Sequence, residues 1–309
     1  MRSPIAVGLA AAVTLSCLTT AVATTTASAA ETTSPHGTAR HATTLNTGHL
    51  RHGLGLDLDA LRAKSAVART VHEGARPVFR HAEAAPESAD LSQYALPPGD
   101  QGQVGACVAW ATGYSAYGIV MNEQGISGAP MAPMYVYAQI AKGQDNGTTA
   151  SVALPMEKEQ GIDTQADYWQ GTSDYTTQPD DQERANAAKY RLSGFDELPT
   201  GGDEAKAAIQ NAVSQGEPVV IGFEVHKSFE ALDATTAADY SYMPGDASSD
   251  PVVGGHEVTI VGYDDKGVKI ENSWGAGWGD GGFFTVPWSF FSTGDVDEIH
   301  AVGKIATQS

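Results

Sequence analysis

Outside its apolar leader the chain carries a single cysteine, Cys107, so no internal disulfide can brace its fold. The leader predicts export. Arg2 supplies a positive start, the run from Ile5 to Ala23 is apolar and small, and Ala27-Ser28-Ala29 reads as a cleavage site. No charged stop follows that run, so a secreted product with no membrane span is expected. Cys17 sits in a weak lipid-attachment context, and anchoring there is a minor alternative. An exported chain without disulfides has to be held by core packing alone, and 309 residues with 41% hydrophobic content can build such a core. A lone cysteine in it is either a small buried hydrophobe or a reactive group, and its neighbours decide which.

Charge divides the chain in two. Residues 31–88 hold seven Lys and Arg against six Asp and Glu, whereas residues 89–309 hold 10 against 31. A surface that acidic disfavours nucleic acid and anionic lipid as partners, and it serves solubility outside the cell. The division is read as a signal peptide over 1–29, a pro-segment or linker over 30–88, and a catalytic domain over 89–309. Within 30–88, residues 31–56 lack apolar periodicity and are expected to be loose. Leu58, Leu61, Val67 and Val71 predict a helix from Asp57 to His72, and Pro77 with the run Ala82–Pro86 reads as a linker. A short basic, His-rich helix ahead of an acidic domain would suit a segment docked by charge; a disordered linker is the other reading.

From Asp90 onward helices dominate the front and strands the back. The small and apolar residues from Cys107 to Met121 suit a buried helix whose first turn holds the cysteine. Ala205, Ala208, Ile209, Ala212 and Val213 mark one face of a second helix, stopped by Gly216 and Pro218. A strand follows to Val225. Val258–Tyr263 and Val268–Glu271 make a hairpin across Asp264–Gly267. The pattern predicts an α+β fold in two lobes, with a helical front lobe, an antiparallel β back lobe and a cleft between them.

A nucleophilic cysteine needs a lowered pKa, which a helix N-terminus and a nearby imidazole both promote. Residues 89–309 contain three histidines, His226, His256 and His300. His256 follows paired glycines at the start of a strand, where its ring has room. Asn272, on the partner strand, could accept from one ring N–H and leave the other nitrogen facing the thiol. A plain four-residue turn would place the two side chains on opposite faces, so a bulge or bend is required.

Three stretches taken in order are similar to the signatures of the papain family of cysteine peptidases. They are Gln101-Gly102-Gln103-Val104-Gly105-Ala106-Cys107-Val108-Ala109-Trp110, Gly255-His256-Glu257-Val258, and Asn272-Ser273-Trp274-Gly275 with Trp278-Gly279. The resemblance spans about residues 89–300. It implies a secreted endopeptidase acting on protein or peptide substrates through an acyl-enzyme thioester. Cys107 would attack, His256 would move the proton, Asn272 would fix the ring, and Gln101 would bind the oxyanion beside the Cys107 N–H. Trp274 would shield the His–Asn bond. Gly147 and Thr148, in Asn146-Gly147-Thr148-Thr149, would pair with substrate, and Glu257 is expected either to line the main specificity pocket and favour a basic side chain or to point into solvent. Val108 replaces the family's usual tryptophan and Thr148 a glycine, and the front segment lacks the long helical pattern of papain-like proenzymes. An acyl transferase, a cell-wall peptide hydrolase or a non-catalytic binding module could use the same fold. No metal or organic cofactor is implied, because the scattered histidines and one cysteine form no ligand cluster.

Overall fold

The computed structural model describes residues 52–71 and 85–306. The expected signal peptide, and the expected linker up to residue 84, lie outside the described residues. In chain order the elements are α1 (Leu58–Val71), β1 (Ala89–Asp90), α2 (Cys107–Trp110), a π-helical stretch (Ala111–Ala116), α3 (Tyr117–Gln124), α4 (Pro133–Ala141), α5 (Ala150–Gln160), α6 (Asp181–Ala187), β2 (Phe195–Glu197), α7 (Gly202–Ser214), β3 (Val219–His226), β4 (Val252–Tyr263), β5 (Gly267–Glu271), β6 (Phe283–Pro287) and β7 (Val296–Val302).

The helix expected from Cys107 to Met121 is continuous to Gln124, with a widened π turn in its middle. It is buried almost throughout, which explains why small and apolar residues surround it on every side. Gly125, at φ +66°, ends it in the left-handed conformation that glycine adopts without a steric penalty. Around this helix, α4 and α5 build the first hydrophobic core.

The second core lies under the sheet, whose strand order is β2-β7-β3-β4-β5-β6, with β1 added against β4. Every pairing in it is antiparallel. The face of α7 that the spacing predicts is the one that packs: Ala205, Ile209, Ala212 and Val213 are buried. The architecture is α+β, with a helical lobe and a strand lobe each closing its own core.

One irregularity in the sheet positions the site. Beside the turn, Tyr263 faces Val268 and Gly262 faces Lys269, but further along Ile260 faces Ile270 and Thr259 faces Glu271. Val261 is therefore an extra residue on β4. Such a bulge reverses which face the later residues share, because side chains alternate with period two. It brings Asn272 onto the face occupied by His256, as the hairpin arithmetic required.

Residues 52–56, expected to be loose, are instead extended and bonded on both sides. Gly53 donates its N–H to Gly102, Gly55 and Leu56 donate to the Gly255 carbonyl, and Leu56 bridges Thr148 in parallel. Two features override the lack of apolar periodicity. Leu56 is buried in the first core along with Leu61 of α1, and the glycines between the leucines allow the backbone close contact on either side.

Candidate active site

Cys107 is the first residue of α2, so its backbone N–H is among those a helix start leaves without an intrahelical partner. The strand β4 crosses directly over the thiol: the N–H of Glu257, next to His256, points at the sulfur. His256 is fully buried, and its Nε2 lies 2.7 Å from Asn272 Oδ1. An amide oxygen can only accept, so Nε2 carries the hydrogen. Nδ1 has no hydrogen-bond partner among the described residues. That leaves an unprotonated ring nitrogen on the residue next to Glu257, whose own N–H meets the sulfur. The Trp274 ring lies over His256, with centroids 4.7 Å apart, and is itself buried, so water is kept from the His–Asn bond.

Gln101 is fully buried and doubly anchored. Its backbone N–H donates to Ser273 O at 2.9 Å and its Oε1 accepts from Ser273 Oγ at 2.6 Å. With the oxygen held, the amide nitrogen has one direction left. Nε2 donates to Gly53 O at 3.0 Å and to Val104 O at 3.1 Å. A carbonyl of the N-terminal segment therefore occupies this donor.

Gly147 and Thr148 complete the other wall. Thr148 donates its N–H to Gly55 O at 2.8 Å and accepts from Asp57 N–H at 2.9 Å. Gly147, at φ +74°, is so close that a Cβ there would lie 2.2 Å from Gly55 O. Thr148, although it replaces a glycine, thus pairs through its backbone with residues 55 and 57 of the same chain. Glu257 does not point into solvent: it is fully buried, and burial, then the charge of Glu298, pushes its carboxyl well above the ordinary range.

The electrostatics are those of a closed site. Burial pushes the Cys107 thiol up to about 12, and the N–H groups of Glu257, Gly55 and Val108 offset only part of this. Burial also drives His256 down to about 4, against the opposing bond to Asn272. Both shifts favour a neutral thiol beside a neutral imidazole over the thiolate–imidazolium pair.

The sequence profile described as "Papain family cysteine protease" matches residues 85–293, two thirds of the chain. The chain belongs to the papain family. Among its relatives is an uncharacterised peptidase C1-like protein of Acanthamoeba polyphaga mimivirus, 26% identical over 62% of this chain and 64% of the viral protein. Cathepsin K of Mus musculus is 28% identical over 64% of this chain and 58% of the cathepsin. The chain thus spans somewhat under two thirds of the length of these relatives. Xylellain, a cysteine protease from Xylella fastidiosa, shares the fold: its structure superposes with a TM-score of 0.64 at 20% identity, covering 83% of this chain and 97% of that one.

The family motifs locate Gln101, Cys107, His256, Asn272 and Trp274; the fold joins His256 to Asn272 and Trp274, Gln101 to Ser273, and Cys107 to the strand that carries His256. Leu56, Gly53, Gly55 and Glu298 were not anticipated. The alternation Gly53-Leu54-Gly55-Leu56 was the available signal for the first three; Glu298 stands in a strand with nothing local to mark it.

Proposed function

We propose that the chain is a secreted, papain-like cysteine endopeptidase made as a latent enzyme, with residues 52–71 lying along the catalytic cleft. The observation that carries the peptidase reading is the bond between His256 Nε2 and Asn272 Oδ1. It leaves Nδ1 to serve the thiol at the head of α2. In the open enzyme Nδ1 takes the thiol proton and the thiolate attacks the substrate carbonyl. The oxyanion is received by Gln101 Nε2 and the Cys107 N–H. The imidazolium then gives its proton to the leaving amine as the C–N bond breaks. Water, deprotonated by His256, attacks the thioester; its breakdown releases the acid and restores the thiol.

Latency rests on the segment that fills the cleft. Leu56 and Leu61 are 6% and 4% exposed, and burying a leucine contributes about 2 kcal/mol. The ion pairs Arg62–Glu224 at 2.5 Å and Lys64–Glu197 at 2.9 Å are partly exposed, a setting in which a pair contributes about 0.2–1 kcal/mol. Apolar anchoring therefore outweighs docking by charge. The decisive experiment compares hydrolysis of a denatured protein by the wild-type chain and by Cys107→Ala, each before and after removal of residues 1–84. Equal activity of the two chains after removal would end the peptidase reading. Equal activity of the wild type before and after would end the latency reading.

A further inference from the structure

Two stretches of chain close on Gly55 from either side. One is the run into the nucleophile: a Cβ on Gly55 would lie 1.9 Å from Gly105 O. The other is Gly147–Thr148, where a Cβ on Gly147 would lie 2.2 Å from Gly55 O. Gly105 stands two residues before Cys107, ahead of α2, and Gly147 lies in the loop between α4 and α5. Among the described residues no main-chain hydrogen bond joins these stretches directly, and Cys107 is free, so no disulfide staples them.

A carboxyl group and a phenol join them instead. The Gly105 N–H donates to Asp145, at 3.0 Å to Oδ1 and 3.2 Å to Oδ2. The Tyr137 hydroxyl donates to the same Oδ1 at 2.5 Å and accepts the Gly147 N–H at 3.1 Å. The bonds thus run in series from Gly147 through Tyr137 and Asp145 to Gly105, with each donor matched to an acceptor. Tyr137 belongs to α4 and is fully buried, so the core fixes where its hydroxyl stands. Burial, then the bond to Asp145 and the charge of that group, pushes the phenol well up, and it keeps the proton it donates. Asp145 itself is exposed, so core packing does not account for an acid at this position. A Cβ on Gly105 would lie 2.9 Å from Asp145 Oδ1; the missing side chain gives the carboxyl group its approach.

We propose that Asp145 and Tyr137 form a clasp that sets the spacing between the nucleophile loop and the substrate wall, Asp145 positioning Gly105 and through it Cys107, Tyr137 positioning Gly147. This rests on the peptidase reading above, in which Cys107 attacks and the main chain at residues 147 and 148 receives an extended substrate. Both are positioning residues, and neither takes a step in the chemistry. Hydrogen bonds to two main-chain N–H groups do here what a covalent cross-link between the loops would do. The two arms have separable consequences. Loss of the Tyr137 hydroxyl leaves the Gly147 N–H without its acceptor but spares the bond from Gly105 to Asp145. Loss of the Asp145 carboxyl group releases both arms.

Two measurements test this, one independent of catalysis. Amide hydrogen exchange is followed by mass spectrometry in the full-length Cys107→Ala protein. Tyr137→Phe is expected to speed exchange about tenfold or more over residues 143–149 and to leave residues 101–107 within about twofold, while Asp145→Ala speeds both stretches. Faster exchange spread evenly over the chain, or none at either stretch, would overturn the clasp. In the second measurement, full-length Gly55→Ala, whose segment is displaced, cleaves an extended peptide. Adding Tyr137→Phe is expected to raise KM about 5–10-fold with kcat within about twofold, because the wall contributes binding alone. Adding Asp145→Ala is expected to lower kcat about tenfold or more as well, through misplacement of Cys107. Asp145→Asn keeps an acceptor for the Gly105 N–H and should restore kcat to within about threefold. A loss in kcat alone for Tyr137→Phe, or an asparagine no better than alanine, would overturn the proposal. Failure of Gly55→Ala itself to cut the peptide would instead count against the peptidase reading, and the exchange measurement would then decide the clasp alone.

Discussion

Gln101 and Gly53 are joined across the cleft by a bond from the side-chain amide to a main-chain carbonyl, 3.0 Å long. The donor that would receive the oxyanion of a substrate is thereby engaged by the protein's own N-terminal segment. Its other amide contact, to Val104 O at 3.1 Å, and the clamp on its oxygen by Ser273 hold it ready rather than free to turn. On the reading proposed above, this bond both orients the donor and occupies it.

Gln101→Ala removes this donor and leaves the Cys107 N–H alone at the oxyanion. The expected loss is on the order of 10²–10³ in kcat, with KM little changed, because the bond strengthens in the transition state. Steady-state kinetics on the opened enzyme check this. A loss confined to KM would contradict the assigned role.

Asn272→Ala frees the His256 ring to rotate about its side-chain torsions, with Trp274 still packed over it. Activity should fall on the order of 10²-fold through misplacement of Nδ1. Alkylation of Cys107 should keep a measurable rate, since the thiol itself is untouched. Unchanged kcat/KM would show that the bulge at Val261 and the His–Asn bond it makes possible have no bearing on catalysis.

Gly55→Ala tests latency without proteolysis. A Cβ at this position would lie 1.9 Å from Gly105 O, a main-chain atom that cannot move aside cheaply. The segment should leave the cleft, and full-length protein should become both active and rapidly alkylated at Cys107. Wild-type chain should react slowly at neutral pH, because burial holds the thiol near 12 and the imidazole near 4 while the segment is in place. Equal alkylation rates in the two proteins would remove the basis for the latent state.

Two acids behind the catalytic helix predict how stability changes with pH. Glu157 is fully buried, accepts from Thr112 Oγ1 at 2.5 Å and is pushed by burial up to about 8 from its ordinary 4.5. Burial likewise takes Glu271 up to about 8. A folded chain that keeps protons the unfolded chain has lost is stabilised fully below about 4.5, and that contribution is lost as pH rises to about 8. Tm of the Cys107→Ala protein should fall by about 5–10 °C across this range, and Glu157→Gln should flatten the slope. A Tm that rises with pH over the same interval would contradict the protonated state of both groups.

Much of the site was legible because its chemistry is local. Cys107 heads a run whose burial and glycine stop are written in consecutive residues, and the motif around it names Gln101. The two strands of the hairpin, and even the need for a bulge between His256 and Asn272, follow from counting residues across Asp264–Gly267. The looseness expected of residues 52–56 failed for a physical reason. Their order comes from Gly102, Thr148 and Gly255 on three separate stretches of chain, and the segment has no periodicity of its own to reveal them. Glu257 was visible as a residue next to the histidine, but whether it faced solvent or core depended on strands not adjacent to it in sequence.

By itself the sequence determined the α+β class and singled out Cys107, His256 and Asn272 for the roles proposed above, because each depends on periodicity or on a short motif. Only the tertiary structure decided that Gly53 engages Gln101 and that Leu56, Glu257 and Glu298 converge on Gly222. Those relationships join residues up to some two hundred and forty positions apart through backbone packing and desolvation, which no local pattern of side chains encodes.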